Sequence, residues 1–204
     1  MRQERLMCLE RELSGLEGYQ GWMIGKCRFS FGDGAEQEAV PGAADAGKQS
    51  GKLRVLRTGS RLAEVEILSA DERDRLTVTL VNSVPGSSAG LRRAETAERP
   101  PDPKYVQESR PAECFSATRA ETDAYLEASG DCNPIHQGAH AVVPGFLMVN
   151  RIAQDCRNCR EIAVRFYHPL YLGETARLIV NESGAQKSAG LFTEQNQILQ
   201  MIFT

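Results

Sequence analysis

Leu6, Leu9, Leu13 and Leu16 recur at intervals of three and four, which places them on one face of an amphipathic helix over residues 3–16. The period then changes to that of strands. Residues 22–31 read as one strand and residues 52–57 as a shorter one; two better ones follow at residues 61–69 and 75–83. In the last of these Leu76, Val78 and Leu80 alternate with threonines. Between the first and second strands, residues 32–51 are rich in Gly and Ala with one Pro and read as a mobile loop. The helical period returns at residues 141–154, A-V-V-P-G-F-L-M-V-N-R-I-A-Q, where Phe146, Val149, Ile152 and Ala153 mark a buried face. Four more strand-like stretches follow, residues 160–167, 174–181, 188–193 and 197–203. They are separated by H-P-L-Y-L-G, E-S-G-A-Q-K and E-Q-N, all turn chemistry. A long apolar helix followed by an antiparallel meander predicts an α+β fold with the sheet wrapped around one central helix.

Just ahead of that helix the chain reads S-G-D-C-N-P-I-H, residues 129–136. Asp131 and His136 stand five positions apart, and a helix would turn such residues about 140° away from each other. Gly130 and Pro134 forbid a regular helix there, so a kinked loop can aim both side chains at one point. A carboxylate and an imidazole converging on one water form a general acid–base pair, because both exchange protons near neutral pH. The bland alternative is an Asx turn, with Asp131 or Asn133 bonding the local backbone and His136 merely exposed. Pro144 and Gly145 stand where the helix would take its first turn. The free amides of that turn can face a developing negative charge, such as a thioester oxygen becoming an enolate.

From about residue 114 to residue 204 the chain resembles a MaoC-type hot-dog domain, the fold of the (R)-specific enoyl-CoA hydratases. Three segments carry the resemblance: Y-L-E-A-S-G-D-C-N-P-I-H, V-V-P-G-F-L-M-V and V-R-F-Y-H-P-L-Y-L-G-E-T. It implies that Asp131 and His136 grip a water and add it across a trans-2-enoyl thioester, or remove it in reverse. It implies that the Gly145 amide polarises the thioester carbonyl and that Asn133 shapes the loop. Val143, Phe146 and Asn150 then belong to the substrate-binding wall. The substrate implied is an acyl-CoA or acyl-carrier-protein thioester, with no cofactor and no metal, in a chain that can pair as a homodimer.

The first half repeats the order helix, strand, loop, three strands without the motif. In the light of the resemblance it reads as a second, degenerate hot dog over residues 1–84, joined to residues 111–204 by a connection at 85–110. That connection runs G-S-S-A-G, then charged, then R-P-P-D-P, and no strand or helix survives such composition. The expected architecture is a tandem hot dog, with a small unrelated α+β module in the first half as the rival reading. Two departures stand out. Only Q-G-A-H-A-V-V-P separates His136 from Gly145, where the family carries a longer segment with an acidic residue. The helix also resembles that of acyl-carrier-protein dehydratases, which place a catalytic glutamate where this chain has Asn150. A neutral amide cannot act as a carboxylate base, which favours the Asp131–His136 pair. It also counts against a hot-dog thioesterase, which needs a carboxylate on that helix. The shortened segment keeps a third reading open, a non-catalytic acyl-binding or assembly subunit.

Composition narrows the classes further. With 204 residues, a formal net charge of −3 and a pI of about 5.7, nothing favours nucleic acid or an anionic membrane surface. No apolar run approaches the ~18 residues that a bilayer span requires. The start, M-R-Q-E-R-L-M-C-L-E-R-E-L, carries glutamates and no cleavage pattern, so it is not a signal peptide and the chain reads as cytoplasmic. Six cysteines in a chain of this size are not a disulfide framework. Cys156 and Cys159 form a lone C-x-x-C without the second pair a zinc site needs, and read as plain reduced thiols, with a redox dithiol as the alternative. Cys132 reads as a small side chain that fits its loop. His140 and His168 lack ligand-spaced partners, and Gly32-Asp33-Gly34 lacks the lysine and helix of a phosphate loop. Tyr125 and Phe115 look core-facing.

Overall fold

The computed structural model describes residues 2–32, 51–82, 113–155, 159–183 and 186–204. The leucine-striped segment forms α1 (Arg2–Ser14), followed by β1 (Met23–Ser30). Next come β2 (Lys52–Thr58), β3 (Leu62–Leu68) and β4 (Arg75–Val81). The second half opens with the short β5 (Glu113–Phe115) and α2 (Arg119–Ser129). After a 3-10 turn at Pro134–His136 it continues with α3 (Gly145–Ile152). The meander is β6 (Glu161–Phe166), β7 (Ala176–Ser183), β8 (Gln186–Phe192) and β9 (Gln197–Phe203). The predicted loop and connection, with Cys156, lie almost wholly outside the described residues.

Among the described residues all nine strands belong to one antiparallel sheet in the order β2-β3-β4-β1-β6-β9-β8-β7-β5. The strands of the first half are contiguous, and so are those of the second. The seam is β1 against β6, in register from Lys26 opposite Arg165 to Ser30 opposite Glu161. Alternation along the strands explains which face is covered. Cys27 and Phe29 on β1, Val65 and Ile67 on β3, and Leu76 and Val78 on β4 are all buried, while the residues on the other face are mostly not, Leu68 and Thr79 being exceptions. Ile162 and Val164 on β6 and Leu199, Met201 and Phe203 on β9 continue the same face across the seam.

The helices lie on this apolar face. Leu6 and Leu9 of α1 are 2% and 1% exposed, and each such burial stabilises by about 1.5–3 kcal/mol. In α3, every residue from Phe146 to Asn150 is buried, which is the signature of a central helix enclosed on all sides. Phe146 of α3 meets Phe29 of β1 edge-on at 5.6 Å, so the second half's helix packs on the first half's strand. Arg11 of α1 donates to the Ala128 carbonyl at 2.8 Å, placing a cation at the C-terminal end of α2. Pairing along β1–β6, ring packing and helix–helix bonds thus all cross between the halves.

Candidate active site

Helix α2 delivers the motif. Thr118 caps it: Glu121 N–H donates to Thr118 Oγ1 at 3.2 Å, and Thr118 N–H donates to Glu121 Oε2 at 2.8 Å. It ends at Gly130, whose φ of 70° is a left-handed conformation that glycine adopts without strain. The chain then folds on its own side chains. Asn133 N–H donates to Asp131 Oδ1 at 2.9 Å, and Ile135 N–H donates to Asn133 Oδ1 at 3.3 Å. Asp131 therefore does make an Asx turn, but with one oxygen only. Its other oxygen, Oδ2, lies 3.4 Å from His136 Nε2, and His136 is 5% exposed. Turn and acid–imidazole pair are one structure, and the exposed-histidine alternative falls.

Each ring nitrogen of His136 has a definite role. Nδ1 lies 2.7 Å from the Val142 carbonyl, which can only accept, so Nδ1 carries the hydrogen. In the neutral ring Nε2 is then an acceptor, facing the Asp131 carboxylate. Two acceptors so placed call for a proton source between or beside them. Burial alone raises the Asp131 carboxyl, but the hydrogen bond and charge that the His136 ring supplies when protonated, together with the Asn133 N–H, outweigh it and hold Asp131 below its ordinary value.

Asn133 fastens this loop to the other half of the chain. Its Oδ1 accepts from Gly21 N–H at 3.0 Å, and its Nδ2 donates to the Trp22 carbonyl at 2.9 Å. The short stretch after His136 is held by Arg119 of α2, which donates to the His136 carbonyl at 3.1 Å and the Gly138 carbonyl at 2.6 Å. Val143 N–H bonds the Leu170 carbonyl at 2.8 Å and brings the chain to α3. Pro144 offers α3 no side-chain cap, so the amides of its first turn have no side-chain partner there. At Gly145 a Cβ would stand 3.1 and 3.2 Å from the Phe166 ring, closer than ordinary contact, so a side chain there would require the ring to shift by a few tenths of an ångström.

A cavity of about 200 Å³ joins these groups. Leu13 of α1 and Leu16, Tyr19 and Trp22 from the segment between α1 and β1 line it, together with Tyr125, Phe146 and Phe166. Of the residues singled out from sequence, Asp131, Asn133, His136, Val143, Gly145 and Phe146 all lie on its wall. Cys132 and His168 are there too, both exposed. Asn150 is not on the wall. It is 3% exposed and directs its Nδ2 to both carboxyl oxygens of Glu10, at 3.2 Å each. Glu10, on α1, does line the cavity, is 2% exposed, and also accepts from Tyr125 Oη at 2.7 Å. Sequence reasoning passed over Glu10. The available signal was an acid inside the leucine stripe, four residues after Leu6 and three before Leu13. Among the described residues no group of three or more His, Cys, Asp or Glu is placed to hold a metal ion. Nor is any helix among them long and apolar enough to cross a membrane.

No family model and no curated protein sequence matches this chain. Solved structures do. HtdX from Mycobacterium tuberculosis superposes with a TM-score of 0.64 at 16% identity, over 98% of this chain and 84% of that one. A MaoC-like dehydratase from Phytophthora capsici gives 0.58 at 14% identity, over 93% and 71%. The fold is a hot dog. An acyl-ACP thioesterase from Bacteroides thetaiotaomicron shares it, with a TM-score of 0.51 at 9% identity over 92% and 77%. A hot dog puts its central helix against the concave face of the sheet, and here the first turn of that helix and the Asp131–His136 loop open on one cavity.

Proposed function

We propose that this chain is an enoyl-thioester hydratase, equally a 3-hydroxyacyl-thioester dehydratase, of the MaoC-like kind. The observation that carries this reading is the facing of Asp131 Oδ2 and His136 Nε2, 3.4 Å apart, on the wall of an apolar cavity. A water bound beside the two acceptors, within hydrogen-bond reach of both, gives one hydrogen to each and turns its oxygen lone pair outward. That lone pair attacks C3 of a trans-2-enoyl thioester as one water O–H bond breaks toward the pair. The C2–C3 π electrons move into the carbonyl and give an enolate, whose oxygen the Gly145 N–H at the head of α3 stabilises. The proton held by the pair passes to C2. One water hydrogen ends on the C3 hydroxyl and the other on C2, so the enzyme returns to its starting state; dehydration runs the same steps backwards.

Crotonyl-CoA and longer enoyl-CoA thioesters, followed by loss of absorbance of the conjugated enone, test the reading, with acyl-carrier-protein thioesters run in parallel. Asp131→Asn and His136→Ala should each lower turnover by about 10²–10⁴-fold. The double variant should be little worse than either, because both serve one proton path. A folded single variant that keeps most of its activity would overturn the assignment. Release of free thiol with an unsaturated acid as the product, in place of a 3-hydroxyacyl thioester, would instead identify hydrolysis. We also take residues 1–84 to be a second, degenerate hot dog, supported by α1 and four strands that extend the same sheet without an acid–imidazole pair of their own.

A further inference from the structure

Three helices meet on the carboxyl of Glu10. Tyr125 donates to it from α2, which ends at Ser129 just before Asp131. Asn150 donates to it from α3, whose first residue is Gly145. Glu10 itself belongs to α1, in the other half of the chain. An acid buried among apolar helices is the expensive way to join them, since a leucine would pack there without desolvating a charge. We propose that Glu10 is a positioning residue of this site, contributed by the N-terminal half, whose buried carboxyl fixes the helix that ends at Asp131 relative to the helix that begins at Gly145, a role that rests on the hydration reading above.

The groups around Glu10 suit such a node. Asn150 Oδ1 is buried without a hydrogen-bond partner. With the amide as placed, an ionised Glu10 accepts from Nδ2; with the amide turned over, a protonated Glu10 donates to Oδ1. The contact therefore survives in both protonation states. The titratable groups acting on the carboxyl are Tyr125 from α2, Cys27 from β1 and Asp131 from the loop, while the buried face of β3 carries Ala63, Val65 and Ile67. None of these is a cation. Burial pushes the Glu10 carboxyl up to about 7; the Tyr125 and Asn150 bonds pull against it and the Asp131 charge adds to it. Two acids of one cavity thus ionise in separate ranges, Asp131 first.

The test uses the full chain with crotonyl-CoA across a pH series. Glu10→Ala should lower kcat by about ten- to a hundredfold with little change in KM, the size expected when reacting groups are displaced by a fraction of an ångström to an ångström. Glu10→Gln keeps the shape and the acceptor for Tyr125, and should recover most of the kcat while lacking an ionisation near pH 7 that the parent shows. A residue that only fills the wall would change KM or thermal stability and leave kcat and the pH profile alone; that result overturns the proposal. If the parent hydrates no enoyl thioester, or Asp131→Asn is fully active, the hydration reading fails on its own. Glu10 is then judged by infrared titration of its carboxyl band, identified by its absence in Glu10→Gln. The midpoint should move down in Asp131→Asn, where the neighbouring charge is gone; an unmoved midpoint overturns the link between node and loop.

Discussion

Asp131 and Glu10 are both partly or wholly buried carboxyls on one cavity, yet they bear on stability in opposite directions. Asp131 is held below its ordinary value of 3.8, so its contribution is present above that pH and is lost as pH falls through the folded value. Glu10 goes the other way. Its ordinary value is 4.5 and its folded value about 7, so between these the folded chain binds the proton more tightly than the unfolded chain. Its stabilisation is complete below about 4.5 and declines as pH rises to about 7, by up to roughly 3 kcal/mol. Urea unfolding at a series of pH values should show this decline in the parent and a flatter profile in Glu10→Gln. Persistence of the full decline in Glu10→Gln would assign the ionisation to another group. At this scale the sequence was uneven as a guide. Asp131 and His136 could be read because Gly130 and Pro134 break the helix between them. Glu10 could not, because its partner Asn150 lies 140 residues away and a count of apolar positions skips the acid among them.

Elements whose reason for existing is local were legible, and elements created by tertiary contacts less so. The leucine stripe gave α1 and the alternating runs gave every strand to within two or three residues except the three-residue β5, which went unread. Helix α2 went unread, although Thr118 and Glu121 form a capping box visible at a spacing of three. Its face is mixed, since only Thr122, Tyr125 and Ser129 are buried, and no apolar stripe announces it. The start of α3 was legible from Pro144 and Gly145, but the cause for glycine was not: it is the Phe166 ring, brought up from β6. Gly145→Ala should therefore press the ring toward the cavity, cost about 1–3 kcal/mol and lower turnover. Thermal unfolding and steady-state rates check both; an unchanged variant would show that the ring gives way freely. The loop between α2 and α3 depends on Asn133. Asn133→Ala removes its bonds to Gly21, Trp22 and Ile135, and should cost about 1–3 kcal/mol with a loss of kcat larger than any change in KM.

Over the whole molecule the two halves share one sheet, one apolar face and one cavity. Their order of elements was readable from the repeat of helix, strand, loop and strands. What the sequence left out was that β1 would pair with β6, since both are ordinary alternating strands and nothing local chooses their partners. This pairing has a direct consequence for the C-terminal segment expressed alone from residue 111. It would expose the β6 edge and the buried faces of Ile162 and Phe146, and it would lack the backbone that Asn133 binds. It should self-associate or precipitate and be inactive, as size-exclusion chromatography and the enone assay would show. A stable, active monomer would mean that the N-terminal half is dispensable.

Asn133 grips its neighbours by main-chain groups alone, the Gly21 N–H and the Trp22 C=O. Gly21, with φ of 82°, is tied to its identity by conformation. Tyr19, Gln20, Trp22, Met23 and Ile24, all on the cavity wall, are not needed by Asn133 for their side chains. Substitution there can reshape the space offered to an acyl chain while the anchorage of the Asp131–His136 loop stays as it is. The molecule thus separates what it can vary from what it must hold, and a lineage or a directed library that explores these five positions can change preference without first rebuilding the chemistry.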